Sequence, residues 1–267
     1  MSETFSFGSY VPGDSVLHRL DPRTKLLLGL ALVVVIPLTR GLAPLAPAAL
    51  AVAALYAAGR IPPAKALRSL APTLVIVALV SLLRLFTQQG GDTLVNWWFI
   101  KVSEGGVYEA ALAAVRLTLM MMAMGLVTLT TRTLDLTEAL ERLLSPLARL
   151  GVPAHELGMM MGIALRFMPQ LAGELHDTYQ AQVSRGARLG TSPVRGVRML
   201  SSVAIPLFAG VFRHAETLSQ AMDARCYHGE AGRTRLHPLR LHRRDGVAAG
   251  LFSTLLAGML ALSALVA

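Results

Sequence analysis

The chain has 267 residues, 54% of them apolar and 15% charged, with 25 Lys and Arg against 16 Asp and Glu for a net charge of +9. A soluble domain of this size carries about a quarter charged residues, so the composition excludes an ordinary soluble protein and points to the membrane. A single cysteine, Cys226, excludes an internal disulfide and a cysteine-based metal cage.

Apolar segments recur at close to membrane length. They run from about Lys25 to Thr39, Leu42 to Ala58, Leu67 to Phe86, Val107 to Leu129 and Val247 to Ala267. About 20 apolar residues cross the hydrocarbon core, so the third, fourth and fifth are full spans. The first two are short, parted by Arg40 and Gly41 and punctuated by Pro37, Pro44 and Pro47, which predicts a tight hairpin or a re-entrant pair. The first run begins near Leu26 with no small-residue cleavage pattern after it, and reads as a retained anchor rather than a signal peptide. The predicted class is an all-α polytopic membrane protein with about five spans. Its divisions fall at 1–131 (membrane helices), 132–245 (a large polar-faced region) and 246–267 (a last membrane helix).

Basic residues set the orientation. Arg19, Arg23 and Lys25 precede the first span, Arg60, Lys65 and Arg68 lie between the second and third, and fifteen more lie from Arg132 to Arg244. The opposite loops hold only Arg40 and Lys101, while Arg84 and Arg116 fall inside spans. By the positive-inside rule the N-terminus, the 59–66 loop and the 132–245 region face the cytoplasm. Arg84 lies near a span end and can snorkel; the deeper Arg116 must face protein or water. The basic stretch from Arg233 to Arg244 reads as a loop drawn to anionic lipid.

Within 132–245, Asp135 followed by Glu138 marks a helix start with Asp135 as N-cap and an apolar face through Leu150. Two helices of about 30 residues follow. One starts after Pro153 with the stripe Leu157, Met161, Ala164, Met168, Leu171, Leu175, Tyr179, Val183. The other starts near Val194 with Leu200, Ala204, Leu207, Val211, Leu218, Met222. Each is roughly 45 Å long, each carries a central proline (Pro169, Pro206) that should bend it, and the two should cross or pair.

The two helices end alike, in Ser184-Arg185-Gly186 and Ala224-Arg225-Cys226. A cation is favoured at a helix C-terminus, and small flanking residues let a partner approach while the guanidinium enters an acidic groove. The alternative for each is an ordinary helix end capped by Gly186 or Gly229.

These endings, with the opening block Tyr10-Val-Pro-Gly-Asp-Ser-Val-Leu-His-Arg-Leu-Asp-Pro-Arg-Thr-Lys25 and the Met-Asp-Ala-Arg-Cys-Tyr run at 222–227, resemble the transmembrane T component (EcfT, CbiQ type) of energy-coupling factor transporters. The order of elements matches over nearly the whole chain. Ser184 and Cys226 stand where the family usually shows other small residues. The resemblance implies a coupling subunit of an ATP-driven importer of a vitamin or transition-metal ion in a prokaryotic cytoplasmic membrane. Two ABC-type ATPase subunits would receive the arginine-tipped helices at Ser184, Arg185, Gly186 and at Ala224, Arg225, Cys226. A small membrane substrate-binding S component would dock on a methionine-rich platform including Met159, Met160 and Met161, with Arg116 as a further contact.

His155-Glu156 followed by Met159 lacks the second histidine of the zinc helix motif, and the methionine clusters at 120–124 and 159–161 fit packing better than metal handling, so neither metal nor cofactor is expected. No phosphate-binding glycine loop of the G-x-x-x-x-G-K-[ST] type is present, so ATP hydrolysis must come from another chain. A membrane-bound enzyme needs a convergent acid, base or metal set, and Asp223 with Arg225 does not supply one. A stand-alone transporter should show paired repeats, which are absent. Nucleic-acid binding is disfavoured, because ten acidic residues are interleaved with the fifteen basic ones of 132–245 and aromatics are sparse.

Overall fold

The structure, a computed structural model, describes residues 10–87, 90, 93–97, 100–187, 193–227, 229 and 242–266. The described residues form two compact units, one from 10–139 with 242–266 and the other from 140–229.

The first unit is the membrane body. It contains α1 (Pro22–Leu38), α2 (Leu45–Ala58), α3 (Pro63–Thr87), α4 (Glu104–Thr130) and α8 (Arg243–Val266), one for each expected apolar run. Asp21 caps α1, its side chain accepting from the Arg23 N–H with Pro22 at the first helical position. Ser103 caps α4 by accepting from the Gly106 N–H. The central helix is α4, against which α1, α2 and α3 all pack, while α8 lies on α1 and α2. The buried core, led by Ile36, Leu45, Ala48 and Met259, sits among these helices. Where α1 meets α4 a side chain on Gly29 would lie 2.5 Å from Val127 Cγ2, so only glycine permits that approach. Leu27, Leu30 and Val34 of α1 and Leu74, Val75, Ile76, Leu79, Leu82 and Leu83 of α3 expose apolar surface, as bilayer-facing helices do.

Among the described residues, three helices are long and apolar enough to cross a membrane: Glu104–Thr130, Gly196–Ala224 and Arg243–Leu265. Leu45–Ala58 and Thr73–Thr87 are shorter apolar stretches. Gly196–Ala224 belongs to the region read from charge as cytoplasmic, and it exposes the large apolar residues Val197, Leu200, Phe208 and Phe212.

Between α3 and α4 the chain departs from pure helix. Strands β1 (Thr93–Trp97) and β2 (Ile100–Ser103) form an antiparallel hairpin with Val95 opposite Val102 and Trp97 opposite Ile100. Its run of Leu, Val, Trp and Ile is strand-favouring and too short to span a bilayer as a helix. The Gly105 N–H closes it on Gly90 O at 2.9 Å.

Helix α5 (Thr133–Leu144) carries the chain into the second unit. Two expectations are corrected here. Asp135 lies inside the first turn of α5 and is not its N-cap, and the helix stops at Leu144. Ser145–Leu150 is a separate 3-10 turn entered through Pro146 and left through Gly151 in the left-handed region (φ 87°). Then come α6 (Ala154–Ser184) and α7 (Pro193–Ala224), 31 and 32 residues long.

Candidate coupling site

Helices α6 and α7 finish in the same backbone motif, built on an arginine. At the end of α6 the Gly186 N–H donates to Val183 O (2.9 Å) and the Ala187 N–H to Gln182 O (3.0 Å), with Gly186 at φ 86°. At the end of α7 the Cys226 N–H donates to Asp223 O (2.9 Å) and the Tyr227 N–H to Met222 O (3.1 Å), with Cys226 at φ 54°. Each is a Schellman ending whose C-cap is Arg185 or Arg225. Gly186 takes the left-handed place of the ordinary-cap alternative at α6, whereas Gly229 does not do so at α7. It lies three positions past Cys226, which takes the left-handed place itself. Ser184, Arg185, Gly186, Ala224, Arg225 and Cys226 are all exposed, and neither arginine has an ion-pair partner among the described residues. The two motifs turn the chain sharply away and leave each guanidinium at a blunt helix end, where the partial negative charge of the last carbonyls favours a cation.

A polar contact joins the two helices midway. Glu174 Oε1 accepts from His214 Nε2 at 2.8 Å and from Gln170 Nε2 at 3.1 Å, and the Phe167 and His214 rings lie 6.3 Å apart. Hydrogen bonds from Gln170 and then His214 hold the Glu174 carboxyl below its ordinary pKa. Gly210, one turn before His214, is buried beneath this contact, and a side chain there would meet Glu174 Oε2 at 3.4 Å.

The C-terminal end of α7 is held against the start of α6. The Tyr227 hydroxyl donates to Met159 Sδ at 3.0 Å and lies 3.5 Å from His155 Nε2, and His155 Nδ1 in turn pairs with Glu141 Oε1 of α5 at 3.0 Å. The near-miss zinc motif is thus a clamp. Among the described residues no three His, Cys, Asp or Glu side chains come together to hold a metal.

These contacts fix the pair as antiparallel, because positions move forward along α7 as they move back along α6. Arg185 lies eleven residues beyond Glu174, and Arg225 lies eleven beyond His214. Each arginine is therefore about 16 Å of helix from the central contact, on opposite sides of it. Pro169 and Pro206 both fall outside these two outer segments, which run without a proline bend.

The outer surfaces of the pair carry exposed apolar residues beside polar ones such as Arg166, Asp177, Arg213 and Glu216. Met160 and Met161 are exposed on α6, whereas Met159 is half-buried and engaged by Tyr227. On α7, Val197, Leu200, Phe208 and Phe212 are exposed along one side, and Met199 and Val203 are buried on another. Leu200, expected on the packed stripe, faces outward. This uncovered face gives Gly196–Ala224 its membrane-like hydropathy.

Arg116 is placed in the membrane body, where Nη2 donates to Thr39 O, the C-cap carbonyl of α1, at 2.8 Å. The bundle therefore gives this intramembrane cation a backbone partner at a helix C-terminus. Arg84 is exposed in the last turn of α3. The opening block also does structural work. His18 Nε2 pairs with Val11 O, Lys25 Nζ donates to His18 O and to Thr130 O at the end of α4, and the Val11 N–H donates to Leu129 O. Asp245 of α8 accepts the Asp21 N–H and the His242 N–H, both at 2.8 Å. The loop Arg233 to Arg244, read as basic and lipid-seeking, lies largely outside the described residues, which begin again at His242.

Sequence reasoning missed Glu174, His214, Tyr227 and Asp245. Helical spacing puts Gln170 and Glu174 on one face, which was readable. Their partners lie 40 or more residues away and needed the antiparallel register.

Comparison with known proteins agrees across the chain. The family model described as cobalt transport protein, CbiQ, matches residues 13–236. The energy-coupling factor transporter transmembrane protein EcfT of Thermanaerovibrio acidaminovorans is 44% identical over 262 residues, covering 97% of both chains. That of Brevibacillus brevis is 42% identical over 252 residues, covering 93% of this chain and 94% of its own. That of Bacillus subtilis is 35% identical over 240 residues, covering 90% and 91%. With both arginine-tipped helix ends inside the matched span, the chain belongs to the CbiQ/EcfT family, the transmembrane components of energy-coupling factor transporters.

Proposed function

We propose that this chain couples ATP hydrolysis on two cytosolic ABC-type ATPase subunits to a separate small membrane protein that binds a vitamin or transition-metal ion. The observation that carries the reading is the matched pair of helix ends. Two exposed arginines occupy the same position of the same capping motif, at equal distances from the α6–α7 contact and on opposite sides of it. One asymmetric partner would need one such tip; two copies of a similar ATPase need two. Each guanidinium enters an acidic groove and contributes about 1.5–3 kcal/mol through charge-assisted hydrogen bonds. When the ATPases close, the tips are driven together and the antiparallel pair transmits the motion as a lever.

The exposed apolar side of the pair, with Met160, Met161, Phe208 and Phe212, is the platform for the substrate-binding protein. Flexible methionines suit a surface that accepts more than one partner by repacking. The N-terminus and the 140–229 unit face the cytoplasm, as the distribution of Lys and Arg supports. Substrate choice resides in the partner, and this chain performs no chemistry of its own.

The test is a pull-down in mild detergent from the native membrane with wild type and with Arg185→Glu/Arg225→Glu. Wild type should bring down nucleotide-binding subunits and a small membrane protein. The double variant should lose the ATPases and keep the membrane protein. Retention of the ATPases by the double variant would remove the docking role from these arginines.

A further inference from the structure

The membrane body contains a cavity of about 610 Å³ that the coupling role does not use. It is an open apolar groove between α1, α2, α4 and α8, floored by Gly29, Leu32, Val52 and Val127 and edged by Leu251 and Phe252. One end is cationic. Lys25 lines it from α1, and Arg243 and Arg244 line it from the first turn of α8. Along α8 the lining runs from Arg243 to Phe252, about 13 Å of helix, close to half of the roughly 30 Å hydrocarbon core. The groove thus has the depth of one leaflet, with its charge at the level of the headgroups.

Three acids, Asp135, Asp21 and Asp245, act on Lys25 at the cationic end, and the last two are already engaged by backbone N–H groups. Asp245 is buried and accepts the N–H groups of Asp21 and His242, and Asp21 accepts the Arg23 N–H. Lys25 spends two of its three donors on His18 O and Thr130 O. Arg243 and Arg244 are exposed, with both guanidiniums left to meet an anion. A groove lined by aliphatic side chains, partly open and headed by a pair of arginines, matches a phospholipid that bears a net negative charge. A zwitterionic lipid would bring its own cation to a site already rich in them.

We propose that this groove is a binding site for one anionic glycerophospholipid, an acyl chain lying along Leu32, Val127 and Leu251 and the phosphate held by Arg243 and Arg244. The lipid fills the gap between α8 and the α1–α4 pair and so fixes the last helix to the body. The site is independent of the ATPase-docking role, and of which leaflet the arginines face.

Native mass spectrometry of the full-length chain in neutral detergent tests it, with phosphatidylglycerol and phosphatidylcholine of identical acyl chains as probes. Wild type should retain one phosphatidylglycerol at concentrations where phosphatidylcholine is largely absent. Arg243→Gln/Arg244→Gln should weaken phosphatidylglycerol by about 25-fold, about fivefold per arginine, and leave phosphatidylcholine unchanged. Ala248→Trp, which fills the groove, should displace both lipids. If that variant fails to fold, the arginine pair, whose side chains are exposed, still decides the matter. Equal retention of the two lipids by wild type, or undiminished phosphatidylglycerol on Arg243→Gln/Arg244→Gln, would overturn the proposal. Displacement by millimolar inorganic phosphate would overturn it too, by making this a phosphate site without an acyl-chain component.

Discussion

The membrane body and the 140–229 unit solve opposite problems with the same element. In the body, helices bury a shared core and lock one another through backbone contacts far apart in sequence: Lys25 to Thr130, Asp21 to Asp245, Arg116 to Thr39. In the other unit two helices of more than 30 residues bury little between them, and α7 leaves Phe208 and Phe212 uncovered. Their pairing rests on a few polar contacts, Glu174–His214 in the middle and Tyr227–Met159 at one end. The body is built to stay fixed. The long pair holds its register while leaving apolar faces uncovered, as the proposed coupling role would require.

The contrast can be broken by mutation, and the largest effect belongs to the body. Asp245→Ala removes a buried acceptor and orphans two N–H groups at the meeting of α1 and α8, costing about 2–4 kcal/mol. Thermal unfolding in detergent should fall by several degrees, while ATPase binding by the folded fraction stays intact. A fall in ATPase affinity at unchanged melting temperature would mean the body is not a passive scaffold.

The helix ends come next. Gly186→Cys forces a second non-glycine residue into the left-handed position and should cost about 1 kcal/mol. Cys226→Gly relieves that conformation and should gain less, because glycine loses more entropy on folding. Melting curves of the two single variants, moving in opposite directions, would establish that the ends share one motif. Movement in the same direction would show that Cys226 is held there by something other than its cap.

The smallest effect is on pH. The Glu174 carboxyl is held below its ordinary pKa, so its contribution is present above that value and is lost as pH falls through the lowered one. Acidification below about pH 4.5 should loosen the α6–α7 contact in wild type and have less effect on Glu174→Gln, as read by hydrogen exchange at 170–175. An identical acid response in both would locate the sensitive group elsewhere.

Much of the fold was legible. Every apolar run became a helix, because a single hydrophobic segment in lipid can satisfy its backbone within itself only as a helix. The start of α6 after Pro153 and the arginine at each helix end were also readable, since proline and arginine act through local geometry and charge. Expectation failed where a local signal had a competitor. Glycine is the usual left-handed residue, so Gly229 drew the cap of α7 away from Cys226. The apolar face of α5 read on to Leu150, although Ser145-Pro146 turns the chain first. The 93–103 hairpin sits between two spans, in a stretch too short for a membrane helix but rich in strand formers. The contacts that join distant segments, Asp21 with Asp245 or Glu174 with His214, follow from tertiary register, which no local pattern encodes.

The central claim is that Arg185 and Arg225 are two equivalent tips, each serving one ATPase. The direct measurement is the number of ATPase subunits per chain in the purified complex, by native mass spectrometry, for wild type, Arg185→Glu, Arg225→Glu and the double variant. The account predicts two, one, one and none. Two subunits retained by either single variant, or none by both, would contradict it.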